Sequence, residues 1–292
     1  MRRMLVGLIG ANIQKSLSPA LHEDALAAAG IRGHYHLMDL DRLPGRGLAD
    51  LLSAARTAGF AGVNITYPCK QSVMPLLDDV SPEARQIGAV NTVIMAGGGT
   101  TKGYNTDCIG FKRAFEETLG KDAACGKTVL LVGAGGAGRA VAYALLDVGV
   151  QTLLVNDKDL AQASRLTAAL IAHFGPGRTR IEIEPEAALS KASGVVNATP
   201  VGMLGVPGTP IPVDAITPHH WVADVIYTPL QTELIKVAAA KGARVMGGAG
   251  MCVHQAAATF RLFTGLIPDL HRMHRVFAEA AAMRDGSLTE AR

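Results

Sequence analysis

The feature that most narrows the choice of fold is the string VLLVGAGGAGR at Val129–Arg139. An apolar run that reads as a buried strand passes directly into G-x-G-x-x-G. The glycines then open an amphipathic stretch, Gly136–Val148, that reads as a helix. Each glycine has its own physical reason. Gly133 permits a tight turn, Gly135 lets backbone approach a pyrophosphate, and Gly138 lets the helix pack close to its sheet. The segment Gly133, Ala134, Gly135, Gly136 and Ala137 would then offer backbone N–H groups and a positive helix end to an anion. Glycines recur by chance in a chain with 33 of them, so the motif alone is weak and its context decides. The next predicted strand, Gln151–Asn156, runs into Asp157, at the separation where a carboxylate accepts the ribose hydroxyls of a dinucleotide. A carboxylate there repels a 2′-phosphate, so NAD fits better than NADP.

Strands and helices alternate on both sides of this motif. Leu5–Ile9, His34–Met38 and Gly62–Thr66 read as strands. Pro19–Ala29 reads as a helix with Ser18 as a candidate N-cap, and Gly47–Ala58 as another. Lys70–Leu77 and Pro82–Ile87 read as short helices. Thr92–Met95 and Lys102–Tyr104 read as a hairpin around Gly97, Gly98 and Gly99. After the glycine motif come a helix over Leu160–Phe174 and strands over Arg180–Ile183, Gly194–Asn197, Val222–Val225 and Arg244–Met246. Helices over Met251–Thr264 and Leu270–Met283 follow, then a polar tail, Arg284–Arg292, expected to fray. This order predicts an α/β protein with parallel sheets covered by helices.

At roughly 150 residues per domain, 292 residues suggest two domains. Aromatic residues are only 4 %, which argues against a large aromatic-lined pocket and for a small polar ligand. The net charge of +3 favours an anionic substrate and a phosphate-bearing cofactor, but the cations are scattered and form no nucleic-acid stripe. Cys69, Cys108, Cys125 and Cys252 form no Cys-x-x-Cys pair, which points to free thiols in the cytoplasm. No signal peptide and no apolar run of roughly 20 residues is read, so no membrane partner is expected. His271 and His274 share a predicted helix face and His219 adjoins His220. Neither pair has a third ligand at metal-site spacing, so these read as surface histidines and no metal is expected.

Four polar clusters sit where predicted strands meet loops. Ser16 and Ser18 precede a helix, where two hydroxyls could hold one carboxylate. Asn64 and Thr66 alternate onto one face of a strand, with Lys70 just beyond Pro68. Asn91 and Thr92 open a strand. Asn105, Thr106 and Asp107 precede a helix for which Asp107 could simply be the N-cap.

With these residues in view, the chain resembles the shikimate dehydrogenases and their quinate/shikimate relatives. SLSP, GVNITYPCK, GAVNT, YNTDCIGF, VGAGGAGRA, NATPVGM and GMCVHQA occur in that family's order, from about Gly7 to Arg275. The resemblance implies an enzyme that interconverts shikimate and 3-dehydroshikimate, with quinate a further candidate. It implies Lys70 and Asp107 as the catalytic pair, with the microscopic base left open. It implies substrate contacts from Ser16, Ser18, Asn64, Thr66, Asn91, Tyr227 and Gln255. It adds Asn197, Thr199, Val225, Gly248 and Met251 to the cofactor contacts of the glycine loop, although Met251 reads equally as a packing residue.

The departures are informative. NADP-using relatives carry Asn-Arg-Thr after the second nucleotide strand, where this chain has Asn156, Asp157 and Lys158. That resembles the NAD-preferring branch. Serine at position 18 is more typical of shikimate-selective members, whereas some quinate users carry threonine. The implied fold is two α/β domains. Residues 1–107, completed by helices in 248–292, form a substrate domain, and residues 108–247 form a Rossmann-type NAD domain. An aminoshikimate or cyclitol dehydrogenase, and a non-catalytic NAD-binding regulator, remain rival readings. A homodimer is left open.

Overall fold

The computed structural model describes residues 2–97 and 99–290, with side chains described as far as 286. The chain divides into two compact units, Met1–Thr106 with Val253–Arg292, and Asp107–Cys252. The second unit therefore takes Asp107 and residues 248–252, which the sequence pattern assigns to the first. The reason is that helix α4 (Asp107–Thr118) and the start of helix α9 (Ala249–Thr264) build onto the second unit's core. An added Cβ at Gly250 would stand 3.1 Å from Ala114 Cβ.

The first unit holds a six-stranded sheet in the order β2-β1-β3-β5-β6-β4. Its strands are β1 (Arg3–Gly10), β2 (Arg32–Asp39), β3 (Gly62–Ile65), β4 (Asp79–Val80), β5 (Thr92–Met95) and β6 (Thr101–Tyr104). The expected parallel sheet is in fact mixed: β5 runs antiparallel to both β3 and β6. A hairpin reverses the chain at β5, and the two-residue strand β4, which the sequence pattern does not predict, covers the edge of β6. Gly98, at the predicted hairpin turn, lies outside the described residues. Helices α1 (Ser18–Ala28), α2 (Leu48–Thr57) and α3 (Pro82–Ile87) belong to this unit. One core cluster gathers Leu51, Leu52 and Ala55 of α2 with Ile9, Val63 and Val93. The other gathers Val6, Leu26 of α1, Tyr35, Phe260 and Phe263.

The second unit is a wholly parallel sheet in the order β12-β11-β10-β7-β8-β9. The strands are β7 (Thr128–Val132), β8 (Thr152–Asn156), β9 (Thr179–Ile181), β10 (Gly194–Asn197), β11 (Trp221–Asp224) and β12 (Arg244–Met246). This is the doubly wound order, and the chain switches direction of winding between β7 and β10. The helices are α4, α5 (Gly136–Val148), α6 (Leu160–Phe174), α7 (Pro185–Leu189) and α8 (Glu233–Ala240). Leu130, Leu131, Val195, Val196, Val222 and Ala223 are fully buried, as expected of central strands covered on both faces. Asp159 caps α6 by accepting from Ala161 N and Gln162 N, so this exposed acid belongs to the helix rather than to a ligand.

Three local expectations change. Ser18 is the first residue of α1 rather than its cap, which is Leu17. Lys70 lies on a run of turns, with a single 3-10 turn over Met74–Leu76 instead of a helix over Lys70–Leu77, because Pro75 limits regular hydrogen bonding. The tail expected to fray continues the final helix, α10 (Leu270–Glu290), and residues 291 and 292 lie outside the described residues. That helix is strapped to α1 by a two-pronged ion pair, Arg272 Nε to Asp24 Oδ2 at 2.7 Å and Nη2 to Oδ1 at 2.8 Å. Among the described residues no helix is long and apolar enough to cross a membrane.

Candidate functional site

In the first unit the polar clusters are drawn together by hydrogen bonds. The serine loop is braced from two sides. Ala11 N donates to Tyr67 O at 2.9 Å, and Asn12 N donates to Asp41 Oδ2 at 2.9 Å. Buried Asp39 accepts from Ile13 N and from Gln14 Nε2. Ser16 Oγ accepts from Ser18 N at 3.3 Å, which tightens the turn ahead of α1, while the helix start at Leu17 carries no side-chain cap and Ser18 is buried. Thr66 is half-buried against the end of β1, where a Cβ on Gly10 would sit 2.3 Å from its methyl group.

Lys70 follows on the next turn. Its carbonyl accepts from Val90 N at 2.8 Å, which fixes the lysine backbone beside Asn91. Asn91 in turn is gripped on both amide atoms. Its Oδ1 accepts from Thr106 N at 2.8 Å and its Nδ2 donates to Thr106 Oγ1 at 2.8 Å. Thr106 Oγ1 reaches Gln255 Oε1 at 3.4 Å and Thr259 Oγ1 at 3.0 Å. Thr259, fully buried on α9, also meets Thr92 Oγ1 at 3.0 Å. Asn64 completes the net from β3. Its Nδ2 donates to Asn91 O and Thr92 Oγ1, and its Oδ1 accepts from Tyr35 Oη at 2.9 Å.

Sequence reasoning places Asn64, Asn91 and Gln255 here but gives no roles to Tyr35, Thr106 and Thr259. Thr259 offers no signal: one threonine on an apolar helix reads as core. Behind the net, His22 stacks on Tyr35 with ring centroids 4.9 Å apart. Burial holds its pKa down at about 3, so it is a neutral packing group. His220, expected at the surface, is buried, with its ring bonded to Thr217 N and Leu189 O.

In the second unit, Gly133 has φ +104°, and a Cβ there would come within 2.8 Å of Ala198 C and O. The glycine turn after β7 therefore touches the exit of β10, at the switch point of the sheet. A Cβ on Gly138 would stand 1.8 Å from Gly133 O, so the third glycine seats the helix on the turn. A Cβ on Gly135 would meet nothing within 4 Å. The space before the α5 N-terminus is thus open. The first-turn amides of Gly136, Ala137 and Gly138 have no carbonyl partner within the helix, and among the described residues Gly135 at the cap provides no side-chain bond to them. Asp157 is half-buried, and its Oδ2 accepts from Ala134 N at 2.7 Å while Oδ1 accepts from Asp159 N. An open cradle, uncapped amides and a carboxylate held on the turn fit a dinucleotide with a free ribose 2′-hydroxyl.

The exits of β10 and β11 are tightly organised. Asn197 is fully buried, and its Nδ2 donates to Val201 O and Asp224 Oδ1. Its Oδ1 accepts from Thr199 N and Thr199 Oγ1. Thr199, Val225 and Tyr227 are half-buried on the loops beyond. A Cβ on Gly248 would stand 2.3 Å from Val225 O, so a bare backbone is required there. Met251 is buried. Asp107 opens α4 and is itself buried, within the helix rather than ahead of it.

Residues 8–93 match the family described as the shikimate dehydrogenase substrate binding domain. The chain is 50 % identical over 278 residues to the quinate/shikimate dehydrogenase (NAD(+)) of Corynebacterium efficiens, covering 94 % of this chain and 97 % of that one. It is 48 % identical over 283 residues to the shikimate dehydrogenase (NADP(+)) of Streptomyces avermitilis, covering 95 % and 96 %. Among solved structures, the quinate dehydrogenase of Corynebacterium glutamicum in complex with NAD superposes with a TM-score of 0.87 at 45 % identity. That match covers 96 % of this chain and all of the other.

Proposed function

Because the chain belongs to the shikimate/quinate dehydrogenase family, we propose that it interconverts shikimate and 3-dehydroshikimate with NAD, and that it also accepts quinate. The observation that carries this reading is the hydrogen-bonded net that joins Asn91, Thr106 and Gln255 beside the backbone of Lys70. A ring bearing several hydroxyls needs such a fixed set of amides and hydroxyls. Ser16 and Ser18 are assigned its carboxylate, and Thr66, Asn91, Tyr227 and Gln255 its hydroxyls. Asn64 spends both Nδ2 hydrogens on Asn91 O and Thr92 Oγ1 and its Oδ1 on Tyr35, so it acts on the substrate through Asn91 and Thr92.

When bound, NAD would be held by the turn of residues 133–137 and by Asp157, and would supply the acceptor for the hydride that leaves the alcohol carbon. Lys70 and Asp107 take the hydroxyl proton as that carbon becomes a ketone, and return it in the reverse direction. A positioned acid–base group contributes about 10²–10⁴-fold to such a step. The preference for NAD rests on Asp157, since similar relatives are named for each cofactor. A dinucleotide with a free 2′-hydroxyl donates to that carboxylate, whereas a 2′-phosphate meets like charge.

The test is a spectrophotometric screen of NAD and NADP, each against shikimate, quinate and aminoshikimate. Formation of NADH with shikimate is expected, with NADP at least tenfold poorer in kcat/KM. Turnover with aminoshikimate alone would move the enzyme to the cyclitol reading. Tight NAD binding with no turnover on any alcohol would make it a regulator.

A further inference from the structure

We infer that Asp224 is a positioning residue for the cofactor: one buried carboxylate sets the spacing of the two strand-exit loops assigned to NAD. This rests on the NAD reading above. Asp224 ends β11, directly opposite Asn197, which ends β10 in the parallel register. It is fully buried, an uncommon place for an acid. Three neutral donors meet it. Oδ1 accepts from Asn197 Nδ2 at 3.1 Å and from Ile226 N at 3.0 Å, and Oδ2 accepts from Thr232 Oγ1 at 2.7 Å.

Each donor belongs to a different backbone segment. Asn197 governs the β10 exit: it grips Thr199 N and Oγ1 on one side and Val201 O on the other. Thr199 Oγ1 then accepts from Val201 N at 3.1 Å, which closes that loop on itself. Ile226 fixes the β11 exit, where Val225 N also donates to Asn197 O at 3.1 Å and Gly248 N to Ile226 O at 3.2 Å. Thr232 caps α8 by accepting from Ile235 N. The positions of Thr199, Val225 and the Gly248 backbone therefore follow from where this carboxylate stands. Asp224 itself is sealed off from solvent and needs no contact with the cofactor.

The donor pattern also says what could replace it. An asparagine can keep Oδ1 on Asn197 and Ile226, which preserves both links between the strand exits and gives up only the acceptor for the Thr232 hydroxyl. An alanine leaves three buried donors unpaired. NADH binding by fluorescence titration, KM for NAD and for shikimate, and the melting temperature are measured for wild type, Asp224→Ala, Asp224→Asn and Asn197→Ala.

Asp224→Ala is expected to weaken NADH binding at least tenfold and raise KM for NAD, with KM for shikimate within twofold. Asp224→Asn should restore binding to within threefold of wild type. Should Asp224→Ala fail to fold, Asn197→Ala, which removes the Asp224 bond together with the Asn197 bonds to Thr199 and Val201, should show the same selective loss. Folded Asp224→Ala, or in its absence Asn197→Ala, that binds NADH like wild type overturns the inference, as does equal loss of both KM values. Wild-type protein that does not bind NADH overturns the NAD reading, and the inference with it.

Discussion

Lys70 is held by its backbone rather than by a helix, through the bond between its carbonyl and Val90 N. Replacing the side chain should therefore leave the turn intact. Lys70→Ala is expected to lower kcat by about 10²–10⁴-fold with KM for NAD within twofold, since only the acid–base contribution is lost. A steady-state titration in both substrates checks this, and a variant retaining half of wild-type kcat would remove Lys70 from the chemistry. Asp157 is argued in the same way. Hydrogen bonds to a charged group are worth about 1.5–3 kcal/mol, so Asp157→Ala should raise KM for NAD by roughly 10- to 100-fold. KM for NADP should stay level or fall, because the repelling charge is gone. Equal losses with both cofactors would show that Asp157 serves only to hold the glycine turn through Ala134 N.

Three threonine hydroxyls, from β5, from the segment before α4 and from α9, meet at Thr259. Thr259→Val keeps the shape and removes the shared hydroxyl, so Thr92 and Thr106 each lose a partner. One net hydrogen bond of about 1.4 kcal/mol corresponds to a tenfold rise in KM for shikimate, with KM for NAD unchanged. Thr259→Ser should recover it. An unchanged KM in a folded Thr259→Val protein would show that the net does not reach the substrate. Most elements of the second unit are legible in the sequence, because buried parallel strands such as Val129–Val132 are nearly uninterrupted apolar runs closed by glycine. The first unit is less legible. The hairpin that turns β5 back against β6 is read from its glycines, but the antiparallel pairing of β5 with β3 and the short edge strand β4 depend on partners that no local pattern encodes. The turn chemistry around Pro68 and Pro75 imitates a short helix in its apolar spacing. The strings carrying Asn91 and Gln255 can be read, but Tyr35 and Thr259 enter the net only through the fold.

Across the whole molecule, buried charge links stability to pH. Burial raises the Asp224 carboxyl from its ordinary 3.8 to about 6, against the three hydrogen bonds that lower it. Between those values the folded protein keeps a proton that the unfolded chain has released. This residue's contribution to stability therefore falls as pH rises from about 4 to 6, by roughly 3 kcal/mol in total, and is level above that window. Subtracting the melting curves of Asp224→Asn from those of wild type between pH 4 and 8 isolates the effect. The variant should gain relative stability as pH rises, and a flat difference would count against the shift. The strap between α10 and α1 has the opposite sign: Arg272 holds Asp24 below its usual range, so its contribution is present above pH 3.8 and fades in stronger acid. The antiparallel course of β5 reaches further. Because β5 runs backward, Thr92 lies level with Asn64 of β3 and Tyr104 of β6, at the polar end of the sheet. The β5–β6 loop, closed by Ala96 N to Thr100 O, is left a full strand away, roughly 13 Å for four residues. Chemistry and loop length are thereby uncoupled: residues added between Ala96 and Thr100 would leave Asn64, Thr92 and Tyr104 level with one another.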